Sequence, residues 1–258
     1  MSHGLVGPES TAWKIDRERV LMLGGGRALL MQLAHPQVAL GVAEHSDFRR
    51  RPFRRLARTT TLSFDLVFGE RERMLKAARQ INSAHATVRG EGYSAFDPDL
   101  LLWVFATLVD SGVHAYELFI GPLGDAEKDA YYDEELRVAA LLGLPAARAP
   151  RDLAGLREYV REQIAGGRVR VSDVGREMGR ATLYPRTRFV PRAIADVGAL
   201  VVAGLLPKEL RDQYALPWSL RHQAAFEVFV RIVRKAVPLL PGAIRYMPQA
   251  REAARRVA

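Results

Sequence analysis

NSAHATVRGEGYSAFDPDLLLWVFATLVDSGVHAYE, residues 82–117, is the stretch around which the chain is organised. In its second half, Asp97-Pro98 opens LLWVFATLVDSGVHAYELFI (101–120), the most apolar run of the sequence and a core-length helix rather than a membrane span. In its first half, His85 and Arg89 stand four residues apart, so that on a helix they project from one face. A helix offering an imidazole and a guanidinium, backed by an apolar helix, could hold an anionic metal cofactor. The alternative is a core histidine whose ring is hydrogen-bonded.

Working outward, helices are expected on both sides. Upstream, Ser10 or Thr11 caps a short amphipathic helix over 13–23. Gly24-Gly25-Gly26 then reads as a hinge, since consecutive glycines weaken a helix interior. The glycines do not form a dinucleotide-binding turn, because Leu29 stands where a third glycine is required and no strand is evident. Glu44 and His45 read either as a channel-lining pair or as a helix end with an exposed carboxylate. Asp47 caps the next helix, with Pro52 in its first turn and Gly69 at its end.

A further helix runs from 70 to 88, with Gly90 as its C-cap. A tight reversal at Gly69 would put His85 about 9 Å beyond Thr59 along the axis, near the height of Arg55. Two helices could then face each other, with His85 and Arg89 on one and Arg55 and Thr59 on the other. Downstream, Asp125 and Asp152 cap two helices, Val169 and Val171 hint at a strand, and a long amphipathic helix covers 218–237. With no repeat and no long linker, residues 1–258 read as an all-α, single globular multi-helix domain.

The composition narrows the chemistry. No cysteine is present, which excludes disulfides, iron–sulfur clusters and thiolate-ligated haem. A net charge of +9 invites a nucleic-acid reading, but only five of the 38 cationic residues are lysine. That arginine bias, beside abundant Ala and Gly, is what GC-rich coding yields, so nucleic acid is not the expected partner. The N-terminal residues show no signal-peptide pattern and no run is long enough to span a membrane, so a cytoplasmic protein is expected.

Glu-x-x-His pairs, H-E-x-x-H, G-x-S-x-G and the phosphate-binding loop are all absent. Asp110 and His114, four residues apart on the apolar helix, read as a buried hydrogen-bonded pair. One histidine backed by arginines remains, which is the minimal protein contribution to a haem b site: an imidazole for iron and cations for the propionates.

Six segments in fixed order carry a resemblance: RALLMQLAHP (27–36), GVAEHSDF (41–48), RRLARTT (54–60), INSAHATVRG (81–90), DPDLLLWVFATLVDS (97–111) and GPL (121–123). Over roughly residues 26–247 the chain resembles the oxygenase domain of the latex clearing proteins, or rubber oxygenases. The membrane-associated oxygenase of mycophenolic acid biosynthesis shares that domain. The resemblance implies a haem b cofactor with His85 as axial iron ligand. It also implies Arg55, Thr59 and Arg89 around the haem, with Arg58 and Thr59 at the distal, catalytic side.

Arg58 stands where a relative carries a lysine able to reach the iron, and a guanidinium stays protonated, so the sixth position is expected open or water-filled. Phe105 stands where relatives often carry histidine. The implied activity is dioxygen-dependent attack on a hydrophobic, for instance isoprenoid-like, small molecule. The alternatives are a basic helical binding protein, for nucleic acid or an acidic partner, and a family member without catalytic activity.

Overall fold

Helix α6 (Pro98–Phe119) begins where the Asp97 carboxylate accepts the Asp99 N–H at 2.8 Å, with Pro98 in its first turn. Thirteen of its 22 residues are buried, on nearly every side, so it is a core helix rather than an amphipathic surface one. The computed structural model describes residues 4–46, 52–185 and 190–257. Among them are fourteen α-helices and two two-residue strands, so the fold is all-α as expected. One apolar cluster includes Val6, Trp103 in the N-terminal third of α6 and Ala253, so both ends of the chain pack on the same core.

Helix α2 (Met22–Ala34) lies along α6 and corrects two expectations. The three glycines are not a hinge but part of the helix. A methyl group at Gly24 would meet the Ala115 Cβ at 2.9 Å, and one at Gly26 would meet Val202 of α10 (Arg192–Leu205) at 2.4 Å. The cost of glycine in a helix is offset by close packing on two neighbours. Trp103 donates its indole N–H to the Met31 carbonyl at 3.1 Å, and Tyr214 donates its hydroxyl to that of Leu30 at 2.7 Å, fixing α2 in place.

The expected helix over 13–23 is also divided. Helix α1 (Thr11–Asp16), capped by Ser10, stops before Glu18, whose extended backbone pairs with Tyr246. The Glu18 carboxylate there takes a bidentate ion pair from Arg245, at 2.7 and 2.8 Å.

Helices α4 (Pro52–Phe68) and α5 (Arg71–His85) form the expected hairpin, reversed at Gly69. A side chain at Gly69 would collide with the Asp65 carbonyl, 2.2 Å from its Cβ position. The capping role given to Asp47, and the part of the basic run formed by Arg49, Arg50 and Arg51, lie outside the described residues. Beyond α5 comes an unanticipated β-ribbon, β1 (Arg89–Gly90) with β2 (Tyr93–Ser94), turned at Gly92 with φ +77°.

Val169 and Val171 are not a strand. They are an extended connection between α8 (Leu153–Ala165) and α9 (Asp173–Leu183) with both side chains buried, and the Val171 N–H is satisfied by the Gln213 side chain at 2.8 Å. Asp152 caps α8 as anticipated, accepting from the Gly155 N–H at 2.8 Å. Asp125 instead opens α7 (Asp125–Leu141), and the Glu127 carboxylate reaches back to the Gly124 N–H at 2.9 Å.

Candidate functional site

Helix α5 presents His85 as its last residue. The Val88 N–H bonds to the His85 carbonyl at 2.9 Å, turning the chain out of the helix and into the ribbon. The expected helix to residue 88 is therefore three residues shorter. Arg89 lies on β1 opposite Ser94 and is exposed, so His85 and Arg89 do not share a helix face. The physical cause is the ribbon: once Gly92 turns the chain, the backbone groups of residues 88–95 pair across it and no longer with α5.

The His85 ring is half-buried and stands edge-on to Phe96, 6.1 Å between ring centres. Burial lowers its pKa, so the imidazole is neutral at neutral pH, the form that binds metals. Its Nδ1 is buried without a hydrogen-bond partner among the described residues. One turn earlier, Asn82 donates to the Leu141 carbonyl at 2.9 Å while its buried Oδ1 is likewise unpartnered. Two orphaned polar atoms one turn apart are unusual, because buried polar groups are nearly always satisfied.

The ribbon also carries a group that the sequence reading missed. The Tyr93 hydroxyl donates to Glu44 Oε2 at 2.5 Å, and His45 Nε2 lies 3.1 Å from that Tyr93 hydroxyl oxygen. The Glu44 hydrogen bond pushes the Tyr93 pKa up to about 12, so the phenol keeps its proton. Gly41 of α3 (Pro36–His45) permits this packing, since its Cβ position is 3.3 Å from both Tyr93 and Val88. Glu44 and His45 do form the exposed end of α3, and through Tyr93 they are also tied to the segment that leads out of His85. At the other end of α3, burial lowers the His35 pKa against the opposing charge of Asp97, and its Nδ1 is also unpartnered.

On α4, Arg55 is half-buried and engaged with a partner, while Arg58 and Thr59 are exposed. Arg58 reaches over α5 into two adjoining open grooves of about 400 and 530 Å³. The smaller is lined by Arg58, Lys76, Arg79, Gln80, Ser83 and Ala84. His85 and Thr59 line neither groove. At 100° per residue, His85 lies about 140° around α5 from Gln80. The structure therefore brings Arg58 to the α5 cations and directs His85 to the ribbon.

Asp110 and His114 are not the pair that their spacing suggested. Burial alone would raise the Asp110 pKa, but Arg27 at 2.5 Å and Arg157 at 3.1 Å outweigh it and hold it below the ordinary value. His114 is left neutral, its pKa lowered by burial. Phe105 is a core residue whose ring packs on Tyr132 with centres 5.8 Å apart, so an aromatic contact occupies the place of the missing imidazole. Among the described residues no three His, Cys, Asp or Glu side chains are gathered to hold a bare metal ion. A group that brings most of its own iron ligands, and asks the protein for one neutral imidazole, fits His85.

Uncharacterized proteins of Mycobacterium bovis and Mycobacterium tuberculosis are each 31% identical to this chain over 226 residues, covering 83% of it and 87% of the relative. No solved structure matches. The family model described as "ER-bound oxygenase mpaB/B'/Rubber oxygenase, catalytic domain" matches residues 13–235, more than three quarters of the sequence and all the residues discussed around His85. The chain belongs to the mpaB/rubber oxygenase catalytic-domain family.

Proposed function

We propose that this protein is a haem b-dependent oxygenase acting on a hydrophobic, for instance isoprenoid-like, small molecule, with His85 as the axial iron ligand. The observation that carries this reading is the half-buried, neutral His85 imidazole with an unpartnered ring nitrogen at the end of α5. When bound, haem supplies the iron at which dioxygen is activated. The chain's own part is to hold it. His85 ligates without first losing a proton, and Arg55, Thr59 and Arg89 offer donors for propionates. Arg58 remains a cation that can pair or donate but cannot ligate. Apolar side chains of α6 and its neighbours would bind the substrate and exclude water, and the protein would act in the cytoplasm.

The test is the visible spectrum of protein expressed with ample haem precursor. A Soret band at near-stoichiometric haem is expected, and His85→Ala should abolish or greatly weaken it. A protein that stays colourless after haem reconstitution would reject the reading.

A second reading, a basic helical binding protein, draws on the smaller groove, where Arg58, Lys76 and Arg79 meet without a lining carboxylate. Its measure is duplex affinity against salt, because each neutralised phosphate releases counterions. Weak, non-specific binding is expected; tight, sequence-selective binding at physiological salt would favour this second reading.

A further inference from the structure

Helix α12 (Leu220–Ala236) packs on the core by one narrow face, with Phe226 buried and Phe229, Val230 and Val233 half-buried. The remainder points outward. Arg221, Ala225, Val228, Ile232 and Lys235 fall within about 80° of one another on that outward side. Val228 is 47% exposed and Ile232 61%. The stripe continues into the turn Pro238-Leu239-Leu240-Pro241, where Leu239 is 84% exposed, and on to the exposed Ile244. Single exposed leucines need no explanation, but a run of aliphatic side chains along one helix and its following turn does.

Charge on the same surface is one-sided. Between residues 218 and 246 the only carboxylate is Glu227, which lies at the edge of the outward face and accepts from Gln223. Among the described residues Arg221, Arg231, Arg234 and Lys235 form no salt bridge, whereas cations such as Arg192 and Lys208 are each paired with a carboxylate one turn on. Long cationic side chains beside aliphatic ones can lay their stems along an apolar phase and keep their heads in the anionic layer above it.

We propose that the outward face of α12, with the turn at 238–241, docks the protein on an anionic lipid surface. A second copy of the chain does not suit this face. A two-fold contact would set Arg221, Arg231 and Lys235 against the same cations of the partner. A shaped protein groove is a more demanding partner, since Leu239 and Ile232 stand well out of the surface, 84% and 61% exposed, and lipid accepts protruding side chains of any arrangement. The proposal needs no membrane-spanning helix, and none of the described helices is long and apolar enough to be one. It also stands without haem, because none of these residues touches the His85 neighbourhood.

The test is co-sedimentation with vesicles of equimolar phosphatidylcholine and phosphatidylglycerol, against phosphatidylcholine alone. Binding to the anionic vesicles, weakened by salt and near absent on the neutral ones, is expected. Ile232→Ser with Leu239→Ser should weaken it by about tenfold or more, as loss of two inserted aliphatic side chains implies. Arg231→Gln with Lys235→Gln should weaken it comparably and remove much of the salt dependence. Arg168→Gln with Arg170→Gln, equal in charge change but exposed elsewhere, should leave it unaltered.

All the substituted side chains are exposed, so the fold is retained, which circular dichroism checks. Equal losses in the two glutamine variants would reduce the effect to net charge and overturn the proposal. Full binding after the serine substitutions would do the same. So would a wild-type dimer in solution that the serine variant makes monomeric, or binding to an acidic polypeptide but not to anionic vesicles.

Discussion

Two polar clusters of this molecule are built on opposite terms. At the centre of α6, Asp110 takes Arg27 and Arg157, while Arg27 also donates to Ser111 at 2.6 Å and to the Leu205 carbonyl at 2.9 Å. Every charge there has its counter-charge, and the links tie α2, α6, α8 and α10 together. At the end of α5, Asn82 Oδ1 and His85 Nδ1 are buried with no partner among the described residues. Full satisfaction is what a structural network needs, because an unpaired buried group costs about 1–3 kcal/mol. Atoms left unsatisfied are tolerated where something outside the chain completes them. On the function proposed above, the contrast is one between frame and site.

The sharpest way to break that comparison is to remove one member of each cluster. Arg27→Met leaves Asp110 buried with only the half-buried Arg157, and truncating one partner of a buried ion pair typically costs about 3–5 kcal/mol. Urea unfolding followed by circular dichroism should show a loss of that order. His85→Ala should cost less than about 1 kcal/mol in haem-free protein, since it removes an unsatisfied nitrogen along with some packing. Its effect should appear in the spectrum instead. Equal destabilisation by the two substitutions would mean that His85 belongs to the frame.

How far the sequence could foresee this division depends on where the decisive partner lies. Caps at Ser10, Asp97 and Asp152, the break at Gly69 and the all-α class were legible, because each depends on residues within one or two turns. The glycines of α2 were misread, since the reason for them is Ala115 and Val202, far away in sequence. The split at Glu18 was invisible for the same reason: its partner Arg245 is 227 residues on. At the site, His85 could be singled out from its type and spacing. The ribbon that separates it from Arg89, and the Tyr93 hydroxyl joining Glu44 to His45, could not. Two-residue strands have no periodicity to read, and Tyr93 meets α3 only after the turn at Gly92.

A third cluster sharpens the comparison, because one of its atoms looks orphaned and has an internal explanation. Asp16 on α1 accepts from the Tyr131 hydroxyl at 3.2 Å and also meets Glu135, whose Oε1 is buried without a well-formed hydrogen bond among the described residues. Burial pushes the Asp16 pKa up from 3.8 to about 7, against the pull of the Tyr131 and Glu135 hydrogen bonds, and raises Glu135 well above the usual carboxylate range. Both shifts favour one proton shared between the two carboxyls. The sign follows from linkage: a raised folded pKa gives stability that is complete below about pH 4 and lost as pH rises through about 7.

The maximum contribution of Asp16 is about 4 kcal/mol, and Asp16→Asn should flatten stability against pH across that window. The buried histidines have depressed pKa values and act the opposite way, losing stability as pH falls below about 6.5. The difference between wild type and Asp16→Asn isolates the carboxyl pair. An unchanged pH profile would mean that the pair does not share a proton, and Glu135 would join His85 among the unexplained orphans.

The smallest expected effects probe how rigid the frame is, at neighbouring glycines of one helix. Gly25 faces open space, whereas Gly26 has no room for a methyl group, its Cβ position lying 2.4 Å from Val202 Cγ2. Neither has the positive φ that would forbid alanine. For Gly25→Ala only the backbone term operates, and alanine is favoured in a helix by about 0.5–1 kcal/mol, so a rise of that order is expected. For Gly26→Ala the same gain is opposed by overpacking against α10, typically about 1–3 kcal/mol, so a net loss is expected. The two substitutions share chemistry, helix and flanking sequence, and differ only in what the added methyl meets. Opposite signs in paired urea titrations would show that α2 is seated on α10 by contact. A gain at both positions would mean that Val202 or α10 shifts to make room, and that the buried Arg27 network holds α2 more firmly than its glycines do.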